Sequence, residues 1–308
     1  MTRTECSVLC VGELVWDFLP GGPRLGGAPL NVSVHLARQG LQVALLTAVG
    51  RDPLGARALA FLEQEGIQGA LTHPLLPTGT VQVELDPAGI PRFSIDDACA
   101  WTDLAGALRA SLPFQWESVD LSHLSVVVFG GLAMHSPGNR QLLGELLDQC
   151  AAKGGRPPLR LCDLNLRPGW RDPEAVRWCA DHADILKVNE EERQFLAELE
   201  PGTGTDPDRA LIHRYCLQAL CTTLGPGGLR WAEAAGADRV VPAWQGEGAP
   251  PVIDTVGAGD AITAAIALGI HRAEAPAVFL ERGSRWAAMI CGQPGALPPD
   301  RRTGIESG

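Results

Sequence analysis

With 308 residues, 45% of them apolar and 20% charged, the chain is long enough to bury a substantial core, and 36 glycines and 24 prolines are too few for a disordered or fibrous protein. The formal net charge of −11 repels phosphate backbones and acidic lipid surfaces, so nothing supports nucleic-acid or membrane binding, and any anionic ligand must be held locally. Nine cysteines, odd in number and without a C-x-x-C pair, indicate neither a disulfide framework nor a zinc ribbon; with no apolar run near the roughly 18 residues of a membrane span, the reading is a cytoplasmic protein with thiols in its core.

The continuous apolar run from Ser7 to Gly12 predicts a buried strand. Gly21, Gly22, Gly26 and Gly27 mark a loop, after which Asn31 to Arg38 suits a short helix ended near Gly40. A strand over Val43 to Val49 and a helix over Leu54 to Glu65, closed by Gly66, continue a β-α-β-α alternation. Between Val81 and Ile95 the texture changes to two short alternating segments joined by Asp86-Pro87-Ala88-Gly89, which predicts an inserted β-hairpin. Strand-like runs then recur at Val126 to Phe129, Leu159 to Leu164, Ile185 to Val188 and Leu220 to Leu224. Helices are expected around Asn139 to Lys153, Glu174 to His182, Glu190 to Leu199 and Pro207 to Tyr215. Two short strands (Leu229 to Ala232, Arg239 to Val241) and two helices (Asp260 to Leu268, Pro276 to Cys291) complete the chain. Repeated crossovers of this kind imply an α/β protein with a mostly parallel central sheet and helices on both faces.

The most informative stretch is Asp254-Thr255-Val256-Gly257-Ala258-Gly259-Asp260, directly before an apolar helix. Small residues at a helix start let backbone N–H groups converge on an anion, and the helix dipole adds positive potential there. Asp260, beside that anion site, stands where a general base would take a proton from an attacking hydroxyl. The bland alternative is a Gly-Ala-Gly turn with Asp260 as a helix cap. Asp17, after the first strand, has acceptor oxygens suited to neighbouring hydroxyls, or is a solvated loop acid. Asn31 either faces a hydroxyl or caps the helix. Alternation along a strand through Asp163-Leu164-Asn165-Leu166-Arg167 places Asp163, Asn165 and Arg167 on one side, with Arg167 offering five fixed donors to an anionic oxygen or forming an ion pair with Asp163 or Asp172. There is no G-x-x-x-x-G-K-[ST] loop, no H-R-D or D-F-G set, and no G-x-G-x-x-G opening a helix after the first strand. The seven histidines show no metal-ligand spacing.

The segment from Asp254 to Asp260 resembles the C-terminal signature of the PfkB, or ribokinase-like, carbohydrate kinases. Gly26-Gly27-Ala28-Pro29-Leu30-Asn31, preceded by Gly12-Glu13 and Asp17, resembles that family's sugar-binding segment, and Val49 to Gly55 resembles its next stretch. Asn189-Glu190-Glu191-Glu192 fits N-x-x-E, and Thr223 to Gly228 fits T-x-G-x-x-G. The resemblance implies one ribokinase-like domain over 1–308, with a β-hairpin lid near 78–103 through which two copies would dimerise.

It further implies ATP-dependent phosphorylation of a sugar hydroxyl. Asp260 would be the base and Gly257, Ala258 and Gly259 the anion hole. Asp17, Gly26, Gly27, Asn31, Asn165 and Arg167 would face the sugar, and Lys187, Asn189, Thr223, Gly225, Gly228 and Thr255 the nucleotide. Glu192 would organise magnesium and its waters; whether a monovalent cation also binds near Asp254 stays open. Asp163 to Arg167 looks most like the fructokinases, although Pro168-Gly169-Trp170 is shorter than the matching stretch of those relatives. Fructose is therefore the first expectation. The alternatives are 2-keto-3-deoxygluconate, ribose or a nucleoside, a non-catalytic binding regulator of the same fold, and a nicotinamide-dependent oxidoreductase, which the missing fingerprint weakens.

Overall fold

The computed structural model describes residues 4–19, 21–85, 91–110, 119–120, 123–152, 156–200 and 206–298. After a two-residue strand, β1 (Thr4–Glu5), the chain enters β2 (Val8–Val11), which is buried throughout. Strands β3 (Val15–Leu19) and β4 (Gly22–Gly26) leave the carboxyl end of β2, and α1 (Ala28–Arg38), β5 (Val43–Gly50), α2 (Pro53–Glu65) and β6 (Gln68–His73) follow. Strands β7 (Gly79–Leu85) and β8 (Pro91–Ile95) come next, then α3 (Leu104–Ala110) and β9 (Val119–Asp120), which pairs with β1. The second half runs through β10 (Val126–Gly130), α4 (Pro137–Ala152), β11 (Leu159–Asp163), α5 (Pro173–Asp181), β12 (Ile185–Asn189), α6 (Glu190–Leu199), α7 (Pro207–Arg214) and β13 (Ala219–Thr223). It closes with β14 (Leu229–Glu233), β15 (Asp238–Val241), α8 (Ala258–His271) and α9 (Pro276–Cys291).

The main sheet has the order β15-β14-β13-β12-β11-β10-β2-β5-β6, with β6 to β13 parallel and β14 and β15 antiparallel at one edge. Its central strands are continuous apolar runs because helices cover both faces. Alternate side chains serve two cores. Val8 and Cys10 pack with α1, α2, α8 and α9 residues such as Leu30, Leu62, Ile266 and Phe279, whereas Leu9 and Val11 pack with Leu143, Val176, Leu196 and Leu211 of α4 to α7. From β2 the chain first builds outward through β5 and β6, then restarts on the other side at β10. The carboxyl ends of β2 and β10 are therefore the switch point, where open α/β sheets leave a crevice.

Local signals end the elements as the residues dictate. Asp52 caps α2 by accepting from Gly55 N at 2.8 Å, Pro53 opens it, and Gly66 at φ 71 closes it. The cysteines are free thiols, seven of them buried. Among the described residues no helix is long and apolar enough to cross a membrane.

Two expectations need correction here. The Gly21–Gly27 stretch read as a loop contains β4, which pairs antiparallel with β3, and β3 in turn pairs parallel with β7. The segment expected to form a hairpin lid is thus part of a four-stranded sheet, β4-β3-β7-β8, rather than a hairpin alone. Glycine and proline in Gly22–Gly26 hide the strand, because its extended backbone is imposed by pairing and not by local preference. The β7–β8 pairing itself agrees with the predicted hairpin, Val81 facing Ile95; its turn, Asp86 to Gly89, lies outside the described residues. The other correction concerns β11, which ends at Asp163. Asn165 takes φ 41, so strand alternation does not carry on to Arg167.

Candidate active site

Helix α8 starts at the mouth of the crevice. Gly257 is its N-cap with φ 83, a left-handed conformation, and a Cβ there would come within 2.5 Å of Ala296 Cα. The turn before it is tied by Asp254, whose carboxylate accepts from Val256 N at 3.0 Å and Gly295 N at 3.1 Å. The first amides of α8, at Ala258, Gly259 and Asp260, belong to the set that a helix leaves without intrahelical acceptors. Ala258 N also donates to Thr255 O at 3.3 Å, and the amides at this helix start, at the half-buried Gly259 above all, are donors on which an anion can rest.

Asp260 lies in the first turn of α8 and is 9% exposed. Asn31 donates to its Oδ2 from Nδ2 at 2.7 Å, across 229 residues of sequence. Asn31 is inside α1, whose N-cap is Gly27, so it does not cap that helix but orients the carboxylate. Burial raises the Asp260 pKa to about 6, and the Asp163 charge adds to the rise. The Asn31 hydrogen bond, Lys187 and Arg167 pull it back. A carboxylate held this way is ionised near neutral pH yet basic enough to accept a proton.

Behind the glycines lies a second buried group. Lys187 donates to both oxygens of Asp163 at 2.8 Å, and Thr263 Oγ1 donates to Asp163 Oδ2 at 2.6 Å. A Cβ on Gly259 would sit 3.2 Å from Lys187 Nζ, so the ammonium stands directly under the start of α8. Lys187, expected among the nucleotide-facing residues, is 5% exposed and bound into this cluster. Burial is the largest influence and would lower its pKa, but the charge and hydrogen bonds of Asp163, with the charges of Glu192 and Asp260, together leave it raised. The alternative reading of Arg167 as an ion pair with Asp163 or Asp172 does not hold among the described residues: Asp163 holds Lys187, and Asp172 caps α5.

On the opposite wall, Asp17 in β3 faces Arg24 across the β3–β4 pair, and Gly26 is bare because a Cβ there would lie 2.7 Å from Asp17 Oδ2. Burial raises the Asp17 pKa to about 6, and Arg167 moderates the rise. Exposed Arg167 therefore projects its charge onto Asp17, Asp260 and Glu13 together, in spite of the break at Asn165. Glu13, noted in the sequence only as part of Gly12-Glu13, is 3% exposed, with its pKa pushed up to about 7 by burial. Thr263 was not anticipated either. An acid directly after a buried strand was the available signal for Glu13; nothing local marks Thr263 within an apolar helix.

The nucleotide-side candidates gather at the carboxyl ends of β12 and β13. Asn189 and Thr223 are register partners, and Gly225 and Gly228 turn the chain into β14 at φ 53 and φ 93. Val252, Ile253 and Val256, in the segment leading into α8, are exposed. Asn189 and Glu192 form a capping box: Glu192 N donates to Asn189 Oδ1 at 2.8 Å and Asn189 N to Glu192 Oε2 at 2.8 Å. The other Glu192 oxygen accepts from Leu166 N at 2.7 Å, locking the β11 exit to the start of α6. Among the described residues no group of three or more His, Cys, Asp or Glu side chains is placed to hold a metal ion.

Comparison with known proteins identifies the family. The chain is 29% identical over 288 residues to a fructokinase of Salmonella typhimurium, covering 85% of this chain and 83% of that protein. It is 27% identical over 285 residues to a 2-dehydro-3-deoxygluconokinase of Dickeya dadantii, covering 85% and 86%. The crystal structure of fructokinase with bound ATP from Xylella fastidiosa superposes with a TM-score of 0.77 at 22% identity, over 95% of each chain, which shows the ribokinase-like fold. The family model "pfkB family carbohydrate kinase" matches residues 22–302, and the chain belongs to that family of sugar kinases.

Proposed function

We propose that the protein transfers the γ-phosphoryl group of ATP to a hydroxyl of a small sugar, with fructose the first candidate. The observation that carries the reading is the pairing of Asp260 with the donor ring of α8: a buried base, aimed by Asn31, adjoins a site for an anion. In this mechanism the sugar lies between the main sheet and the lid, contacting Asp17, Gly26, Gly27, Asn31, Asn165 and Arg167. Asp260 accepts the proton of the attacking hydroxyl, and the backbone amides of Gly257 to Gly259, with that of Asp260, stabilise the charge on the transferring group. Lys187 reinforces that field from behind while Asp163 keeps it charged. Thr223, Gly225, Gly228, Asn189 and Thr255 border the nucleotide.

Magnesium accompanying ATP neutralises phosphate charge when bound. It typically keeps several waters and takes few protein ligands. Glu192, whose oxygens already accept from the amides of Leu166 and Asn189, would meet it through those waters.

The relatives include both fructokinases and 2-dehydro-3-deoxygluconokinases, and Arg167 would suit the carboxylate of the second substrate class. Arg167 also balances Asp17 and Glu13, which crowd that wall with acid and favour a neutral polyol. The test is ADP release from ATP and magnesium over fructose, other hexoses, ribose, 2-keto-3-deoxygluconate and nucleosides, for the native protein and Asp260→Asn. Strong turnover of fructose that falls at least 1000-fold in the variant is expected. Turnover retained by Asp260→Asn overturns the assignment of the base, and preference for the keto-deoxy acid overturns fructose.

A further inference from the structure

Glu13 is held at the switch point by its surroundings, with the backbone amides of Glu13 and Ala133 turned to its carboxyl, and still has an oxygen to spare. Oε2 is buried without a hydrogen-bond partner among the described residues. Two glycines keep the space open. A Cβ on Gly131 would lie 3.2 Å from both carboxyl oxygens, and one on Gly27, at φ 113, would be 2.5 Å from the Glu13 carbonyl. Burying an acceptor without a donor costs on the order of 1–3 kcal/mol, and an apolar side chain would fill the position more cheaply. A ligand donor changes that balance.

The groups whose charges reach Glu13 are Arg167 and Asp260, both already at the site. A second orphan acceptor is close by: Asn31 Oδ1 is also buried and unpartnered, while its Nδ2 holds Asp260. Two spare acceptors beside the base select for a ligand that donates several hydrogen bonds, and neighbouring hydroxyls do so, whereas a carboxylate or phosphate does not.

We propose that Glu13 is a substrate-binding residue, its spare oxygen accepting from a sugar hydroxyl other than the one phosphorylated, and that it sets discrimination against sugars deoxygenated there. The proposal rests on the sugar-kinase reading. A site built around a hydroxyl rejects the analogue lacking it strongly, because the buried polar group is then left unpaired. The experiment compares the native protein, Glu13→Gln and Glu13→Ala on the best sugar substrate and its monodeoxy analogues, with kcat and KM separated and melting temperature recorded.

The native protein should discriminate at least 100-fold in kcat/KM at one position. Glu13→Gln should reduce that figure below 10-fold at the same position alone, with KM for the sugar raised at least 10-fold and KM for ATP within twofold. An unchanged deoxy profile in both variants overturns the proposal. So does a uniform loss across positions accompanied by a lower melting temperature and weaker ATP binding, which marks a purely structural residue. If the native protein turns over no sugar, the kinase reading fails in that column alone. Calorimetric sugar titrations of the same three proteins then decide, and native binding that Glu13→Gln leaves intact, or no binding at all, overturns the proposal.

Discussion

Asp260 shows at residue scale how function and stability oppose each other. Its pKa is raised from the ordinary 3.8 to about 6 by burial and by Asp163, so the folded state binds its proton more tightly than the unfolded chain does. The stabilisation from that proton is complete below about 3.8 and is lost as pH rises through about 6. At pH 8 the native protein therefore carries a destabilising buried charge. Asp260→Asn should raise stability there by about 1–3 kcal/mol, with the gain vanishing near pH 4, read by urea unfolding at both pH values. For the same reason kcat/KM should fall about tenfold per pH unit below about 6 as the base protonates. A flat profile down to pH 5 would mean that another group takes the proton. The role of Asn31 was undecidable in the sequence, since cap and ligand use the same atoms; its partner is 229 positions away.

At the scale of elements, most of the layered architecture was legible. Val43–Gly50 is buried along its whole length and reads as a central strand from composition alone, and Asp52-Pro53 with Gly66 frames α2. What was illegible depends on pairing or on reversal of the local rule. Gly22–Gly26 becomes a strand only because β3 pairs with it, and Gln68–His73 forms β6 against β5. Asn165, in the left-handed region, breaks an alternation that the residue types suggested. The start of α8 is a positional device that the glycine spacing did announce. Gly257→Ala should cost about 2 kcal/mol, from the left-handed φ and the approach to Ala296, and lower kcat at least tenfold by displacing the donor amides. Normal turnover in that variant would remove the α8 amides from the mechanism.

At the scale of the molecule, the switch point and the four-stranded sheet beside it frame the candidate site. That site draws on the carboxyl ends of β2, β10, β11 and β12, on two helix starts and on the small sheet proposed as a lid, elements spread from residue 13 to residue 260. A ligand lying between lid and main sheet should tie them together. Sugar with a non-hydrolysable ATP analogue should slow amide hydrogen exchange at least tenfold in β3, β4 and β7, and less than twofold in α4 to α7, whose amides face the distal core. Equal protection everywhere, or none in the lid, would place the sugar elsewhere.

The amino-acid sequence by itself determined the alternation of the central strands with their helices, the apolar strands buried on both faces, and the glycine-opened helix that carries Asp260, because these follow from short-range patterns of burial and backbone freedom. Only the tertiary structure decided which side chains meet: Asn31 with Asp260, Lys187 with Asp163 and Thr263, Glu13 beside Gly131, and β4 within the lid. Those contacts join segments far apart in the chain, and a hydrogen bond or a buried charge leaves no periodic trace around either partner.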